Sequence, residues 1–213
     1  IVVSCSDSRK NSSSLPGRLG NPEMSLINDP RAIPAVTKVM SDFGLDSLAP
    51  DPPISIEANQ KEKVDYMTSL ESKYEEVFES LFSELPEVKG VERFTKTIDG
   101  IDGNKIKLYI HKPDEQKSNI PGILHIHGGG MSILKAKNPN YIRWRDDLAS
   151  TGLIVVGVEF RNVAGELGSH LFPAGLNDCS SALQWMFDNK EELDVSKIIV
   201  SGESGATSGF GKI

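Results

Sequence analysis

Lys197-Ile198-Ile199-Val200-Ser201-Gly202-Glu203-Ser204-Gly205-Ala206 is the stretch on which the reading of the chain turns. The β-branched run Ile198 to Val200, bounded by small residues, predicts a buried parallel strand. Ser204 then stands among Gly202, Gly205 and Ala206, and Glu203 is the one bulky side chain within two residues of it. That pattern predicts a nucleophile elbow, a strained strand-to-helix turn whose small neighbours let strand and helix approach closely. Such a turn presents the serine hydroxyl and the next backbone N–H to the same point in space.

A Gly-x-Ser-x-small stretch is common by itself. Its weight here comes from a second motif, His127-Gly128-Gly129-Gly130, which follows an apolar strand expected over Ile120 to Ile126. A glycine loop at a strand end supplies backbone donors to a developing oxyanion. Without the elbow, the same residues read as a plain flexible turn.

Composition bounds the rest. The 213 residues are 38% hydrophobic, enough for one medium domain with a sizeable core. The net charge of −7 comes with no Lys/Arg cluster, so no nucleic-acid surface is expected and the acidity reads as solubility. Cys5 and Cys179 are far apart, and Cys179 falls on an apolar helix face, which predicts a reduced thiol rather than a disulfide. No apolar run approaches the ~20 residues of a membrane span. A soluble, cytoplasmic protein is expected, its oligomeric state unspecified. Ile1 to Val3 is too short for a signal-peptide core.

Residues 1–22, rich in Ser, Asn, Gly and Pro, predict a loose leader. Residues 23–85 read as an N-terminal helical cap segment. Its short helix carries Ile33, Val36, Val39, Met40 and Phe43 and ends at Gly44; a longer amphipathic helix carries Val64, Met67, Leu70, Tyr74, Val77, Phe78, Leu81 and Phe82. The simplest reading of those helices is packing on a core; the sharper one is a lid over an apolar pocket. From residue 86 to 213 strands take over. Val91 to Ile98 and Lys105 to His111 flank a turn-rich segment and predict a hairpin. A helix is expected over Tyr141 to Ser150, a central strand over Leu153 to Phe160, and a helix opened by Pro173. An antiparallel start followed by alternating strands and helices implies an α/β architecture with an open, mostly parallel sheet.

Acyl transfer needs a nucleophile, a base and oxyanion donors. Ser204 fits the first role, and the amides of Gly128, Gly129 and Gly130, with Gly205 across the site, fit the third. His127 and Glu203 support their motifs. Glu203 is expected in a structural hydrogen bond, and His111, His125, His127 and His170 each read as structural or solvated rather than as the base. No metal-ligand spacing and no phosphate-cradling loop is present, so no cofactor is expected.

These residues resemble the hormone-sensitive-lipase-like family of α/β-hydrolases, in the branch with Glu before the nucleophile. The resemblance rests on His127-Gly128-Gly129-Gly130, Val158-Glu159-Phe160-Arg161, His170 to Asp178, Gly202-Glu203-Ser204-Gly205-Ala206 and, at the start of the cap, Asp29-Pro30-Arg31. It implies an α/β-hydrolase fold with a helical cap and hydrolysis of a small-molecule carboxylic ester by Ser204. Two departures are Ala206 for a final glycine and Met131 for an aromatic. In that family the chain order is Ser, then Asp or Glu, then His. Nine residues follow Ser204 and none is acidic or His, so the acid, the base and the later strands are expected outside this chain, leaving Ile198 to Val200 as an edge. Two other readings stay open: a non-catalytic or truncated α/β-hydrolase-like binding protein, and a related serine amidase or deacetylase.

Overall fold

The computed structural model describes residues 21, 23–46, 51–115 and 118–206. The expected leader, Asn21 apart, lies outside the described residues, as do Cys5 and the segment after Ala206. The chain divides into two compact units, Ile1–Ser55 and Ile56–Ile213.

In the first unit a 3-10 turn, Leu26–Asn28, precedes helix α1, Pro34–Asp42. Pro34 occupies the first turn, where a missing N–H costs nothing, and the chain leaves the helix through Gly44 at φ 66°. Asp29 accepts from the Arg31 backbone N–H at 2.9 Å and from its Nε at 2.8 Å, which holds the carboxyl down at about 2. Thr37 is the buried residue of α1, while Ile33, Val36 and Val39 remain exposed.

The second unit opens with α2, Gln60–Phe82, started by a capping box in which Asn59 and Glu62 bond each other's backbone N–H. The strands are β1 (Val91–Asp99), β2 (Lys105–Pro113), β3 (Ile120–Ile126), β4 (Ile154–Glu159) and β5 (Val195–Gly202), with α3 (Pro139–Ser150) and α4 (Ala174–Asp188) between them. They form one sheet in the order β1-β2-β4-β3-β5. The β1–β2 hairpin is antiparallel, as is β2–β4, whereas β4–β3 and β3–β5 are parallel. This is the expected α/β architecture, in a mixed rather than mostly parallel sheet, with two antiparallel and two parallel pairings among the described residues. Helix α3 begins two residues before the expected start because Pro139 is tolerated in its first turn.

The strands bury opposite faces under different helices. On one face Leu108, Leu124, Ile126, Val156 and Val158 meet Cys179, Ala182 and Met186 of α4. On the other, Ile123 and Val155 meet Ala149 of α3 with Trp144 and Leu148 beside them. Helix α2 lays Val64, Met67, Leu70 and Phe78 against Ile133, Leu134, Tyr141 and Ala164, so it packs on the residues that follow the glycine loop. Cys179 is a buried free thiol, and burial pushes its pKa up.

One expectation needs correction. The strand before Ser204 is parallel but not buried: Ile199 is 48% exposed and Val200 37%. The reason is position, since β5 pairs with β3 on one side and is the last strand of the sheet among the described residues. It is therefore the expected apolar edge, and only its burial is corrected.

Candidate active site

Strands β3 and β5 end side by side, with Ile126 paired to Gly202, so the glycine loop and the serine turn leave the sheet together. The Glu203 N–H donates to the Ile126 carbonyl at 3.1 Å and ties the two departures to each other. Ser204 is exposed and sits at φ 51°, a left-handed conformation that is strained for a side-chain-bearing residue. Directly after it, a Cβ on Gly205 would stand 2.5 Å from the Gly130 Cα, so only glycine lets the turn and the loop approach this closely. Ala206 is tolerated, its methyl buried in the core with α4 and the strands.

The glycine loop enters the left-handed region repeatedly, freely at its glycines and with strain at Met131 and Leu134. Gly129, Gly130, Met131 and Leu134 have φ of 99°, 65°, 59° and 75°. Neighbouring elements hold it: Glu71 of α2 accepts from the Leu134 N–H at 2.7 Å, and Asn162 donates to the Leu134 carbonyl at 3.0 Å. A Cβ on Gly128 would stand 3.1 Å from the Tyr141 hydroxyl and 3.7 Å from the Cβ atoms of Glu203 and Ser204. Burial pushes the Tyr141 phenol up to about 12, with the Glu203 charge adding to it. His127 is fully buried and stacked on Phe160 at 4.2 Å, its Nδ1 bonded to the Gly128 carbonyl at 2.8 Å. Its Nε2 is buried without a partner, and desolvation drives the ring pKa down to about 3.

Glu203 accepts from His125 Nε2 at 2.8 Å. That bond is one end of a polar chain the sequence reading did not foresee. Arg145 of α3 is fully buried; its Nη1 lies 3.3 Å from His125 Nδ1, its Nε 3.0 Å from His111 Nε2, and its Nη2 donates to the Ala136 carbonyl at 2.7 Å. Guanidinium N–H groups only donate, so both imidazoles are neutral acceptors toward Arg145. The remaining protons then go outward, from His125 Nε2 to Glu203 and from His111 Nδ1 to Asp146 at 2.7 Å. Arg93 closes the far end with two 2.9 Å bonds to Asp146. Burial lowers the pKa of His111, of His125 and of Arg145, the last to about 10. One sequence signal marks Arg145: it falls on the i, i+4, i+8 stripe Tyr141, Arg145, Ala149 that α3 buries.

A cavity of about 330 Å³ adjoins Gly130, lined by Met131, Val163, Leu171, Phe172, Pro173 and Leu176, with Arg161 and His170 among its polar residues. Arg161 bonds Asp178 through its backbone N–H at 2.8 Å and its Nε at 2.9 Å, fastening the end of β4 to α4. His170 Nε2 lies 2.8 Å from the Leu167 carbonyl. Among the described residues no cluster of His, Cys, Asp and Glu is arranged to hold a metal ion, and no helix is long and apolar enough to cross a membrane.

A family model described as BD-FAE matches residues 108–208, a span that holds both motifs. Carboxylesterase NlhH of Mycobacterium tuberculosis is 34% identical over 122 residues, 56% of this chain and 36% of that protein. The solved structure of brefeldin A esterase, described as a bacterial homologue of human hormone sensitive lipase, is similar at a TM-score of 0.84 and 37% identity over 92% of this chain. The chain is similar to hormone-sensitive-lipase-like α/β-hydrolases. Esterase Est22 is a further structural relative of this chain, with a TM-score of 0.70 and 28% identity over 86% of it. The chain spans 54% of the brefeldin A esterase structure and 55% of the Est22 structure.

Proposed function

We propose that this chain carries the nucleophile and the oxyanion hole of a carboxylic ester hydrolase. The observation that carries the reading is the apposition of Gly205 on Gly130, which sets an exposed, left-handed Ser204 against the glycine loop. Ser204 Oγ attacks the ester carbonyl, forming a tetrahedral intermediate whose oxyanion accepts from backbone amides; collapse expels the alcohol and leaves an acyl-serine for water to cleave. Gly129, Gly130 and Gly205 are the amides we assign as donors. Among the described residues the first two have no acceptor within the protein, whereas the Gly128 N–H bonds the Tyr141 hydroxyl. Removing one such donor costs ~3 kcal/mol of transition-state stabilisation.

The apolar cavity beside Gly130 suits the acyl or alcohol portion of a small ester. His111, His125, His127 and His170 are each engaged elsewhere, so we assign the general base and its acid partner to residues outside those described. The relatives named carboxylesterase and esterase support an ester rather than an amide as substrate. The test is p-nitrophenyl acetate hydrolysis by the full-length protein and its Ser204→Ala variant. The variant is expected to lose at least ~10³-fold in kcat with an unchanged circular dichroism spectrum; a folded variant that keeps most of its activity would overturn the assignment.

A further inference from the structure

Arg145 packs against the sheet where a side chain is missing. In register, Gly157 of β4 is flanked by Tyr109 of β2 and His125 of β3, and His125 by Ser201 of β5. At Gly157 that row has a gap, and the guanidinium fills it: a Cβ there would stand 2.7 Å from Arg145 Nη1 and 2.9 Å from Cζ. A glycine within an otherwise apolar central strand is what such an approach requires. The direct partners of this buried cation are two imidazoles and a carbonyl. Two carboxylates lie one imidazole further out, Asp146 beyond His111 and Glu203 beyond His125. A buried cation is costly unless it is well hydrogen-bonded, and here each of the three guanidinium nitrogens has a partner.

The two arms that leave Arg145 on the site side reach both halves of the candidate active site. One passes through His125 to Glu203, the residue before Ser204. The other holds the carbonyl of Ala136, whose N–H is bonded to Glu159 at 3.1 Å, just beyond the strained loop that ends at Leu134. We infer that Arg145 is a positioning residue for the acyl-transfer site: by forcing His125 into the Nε2–H tautomer it orients Glu203, and through Ala136 it fixes the segment after the glycine loop, so one side chain sets the spacing of nucleophile and oxyanion donors. The inference about catalysis rests on the ester-hydrolase reading; the tautomer does not.

The test has an arm for each. In ¹⁵N-labelled full-length wild-type protein, long-range ¹H–¹⁵N spectra of the imidazoles are expected to show His125 and His111 neutral at pH 7, with His125 protonated on Nε2 and His111 on Nδ1. A His125 protonated on Nδ1, or exchanging between tautomers, overturns the inference whether or not the protein hydrolyses esters. In the second arm kcat and KM for p-nitrophenyl acetate are measured, per folded molecule, for Arg145→Lys and for Gly157→Ala, which leaves the arginine in place but closes its gap. Displacing reacting groups by about 1 Å costs on the order of 10²-fold, so kcat is expected to fall roughly 10- to 100-fold in both while KM changes less than about threefold. A purely structural role would lower stability and leave kcat of the folded fraction at the wild-type value, and that result overturns the inference. Should Arg145→Lys fail to fold, Gly157→Ala and the wild-type spectrum decide it. Wild-type protein with the expected tautomers and no hydrolysis would instead overturn the ester-hydrolase reading.

Discussion

Two histidine–carboxylate pairs hang on the same guanidinium and differ in what lies beyond them. His111 and Asp146 form the inner pair: both are buried, and the carboxylate is bridged onward to Arg93 on β1. His125 and Glu203 form the outer pair: the imidazole is fully buried, but the carboxylate reaches a partly open turn one residue before Ser204. Local chemistry is nearly identical, with a neutral ring accepting from Arg145 and donating to a carboxylate. The contrast teaches that a polar network becomes functional by where it ends. One end locks helix α3 to the hairpin, and the other locks the elbow to the sheet.

The comparison breaks most visibly at the inner pair. Asp146→Ala leaves a buried imidazole N–H and the Arg93 fork without their acceptor, a change of the kind that costs about 3 kcal/mol. Thermal unfolding is expected to shift down by roughly 6–12 °C, while kcat per folded molecule stays near wild type. A large kcat loss at unchanged stability would reverse the roles assigned to the two ends.

Acid attacks every ring that burial keeps neutral. His127 is the extreme case, held at about 3 against an ordinary 6.5 by desolvation. Because its folded pKa is depressed, the stability it contributes is complete above pH 6.5, declines as pH falls, and is gone near its folded value. At pH 5 that amounts to about 2 kcal/mol from His127 alone. The shifts of His111 and His125 have the same sign, so they steepen the loss. Urea unfolding at pH 7.5 and pH 5 checks this; a protein equally stable at both would show that these rings are not buried neutral.

The smallest effect is expected at the outer end. Glu203→Ala removes the acceptor of His125 at a carboxylate that water also reaches, so stability should change little. Release of the elbow is expected to lower kcat roughly tenfold, a fraction of what a full 1 Å displacement costs. Loss of stability without loss of kcat would make Glu203 equivalent to Asp146.

Sequence alone exposes the outer end of this network and hides its centre. Gly202-Glu203-Ser204-Gly205 and His127-Gly128-Gly129-Gly130 are legible because backbone strain and close approach demand small residues at fixed offsets, and the strand boundaries of β3 follow from its short apolar run. Glu203 as a hydrogen-bonding residue is legible for the same reason. Arg145 is harder to read: its place on the Tyr141, Arg145, Ala149 stripe is the one signal, and an arginine in an amphipathic helix normally marks the wet face. Its burial depends on a missing Cβ at Gly157, a contact between residues distant in the chain. The exposure of Ile199 and Val200 escaped a local reading too, because an apolar β-branched run looks the same in a central strand and at an edge.

The account stands on Ser204 being a nucleophile that meets an oxyanion hole, and covalent labelling reads this most directly. The full-length protein treated with a fluorophosphonate, a tetrahedral mimic of the acyl-transfer intermediate, is expected to take up one equivalent on the peptide containing Ser204. p-Nitrophenyl acetate should slow that labelling, and Ser204→Ala should abolish it. Stoichiometric labelling of a different serine, or an active esterase whose Ser204 stays unmodified, would contradict the account.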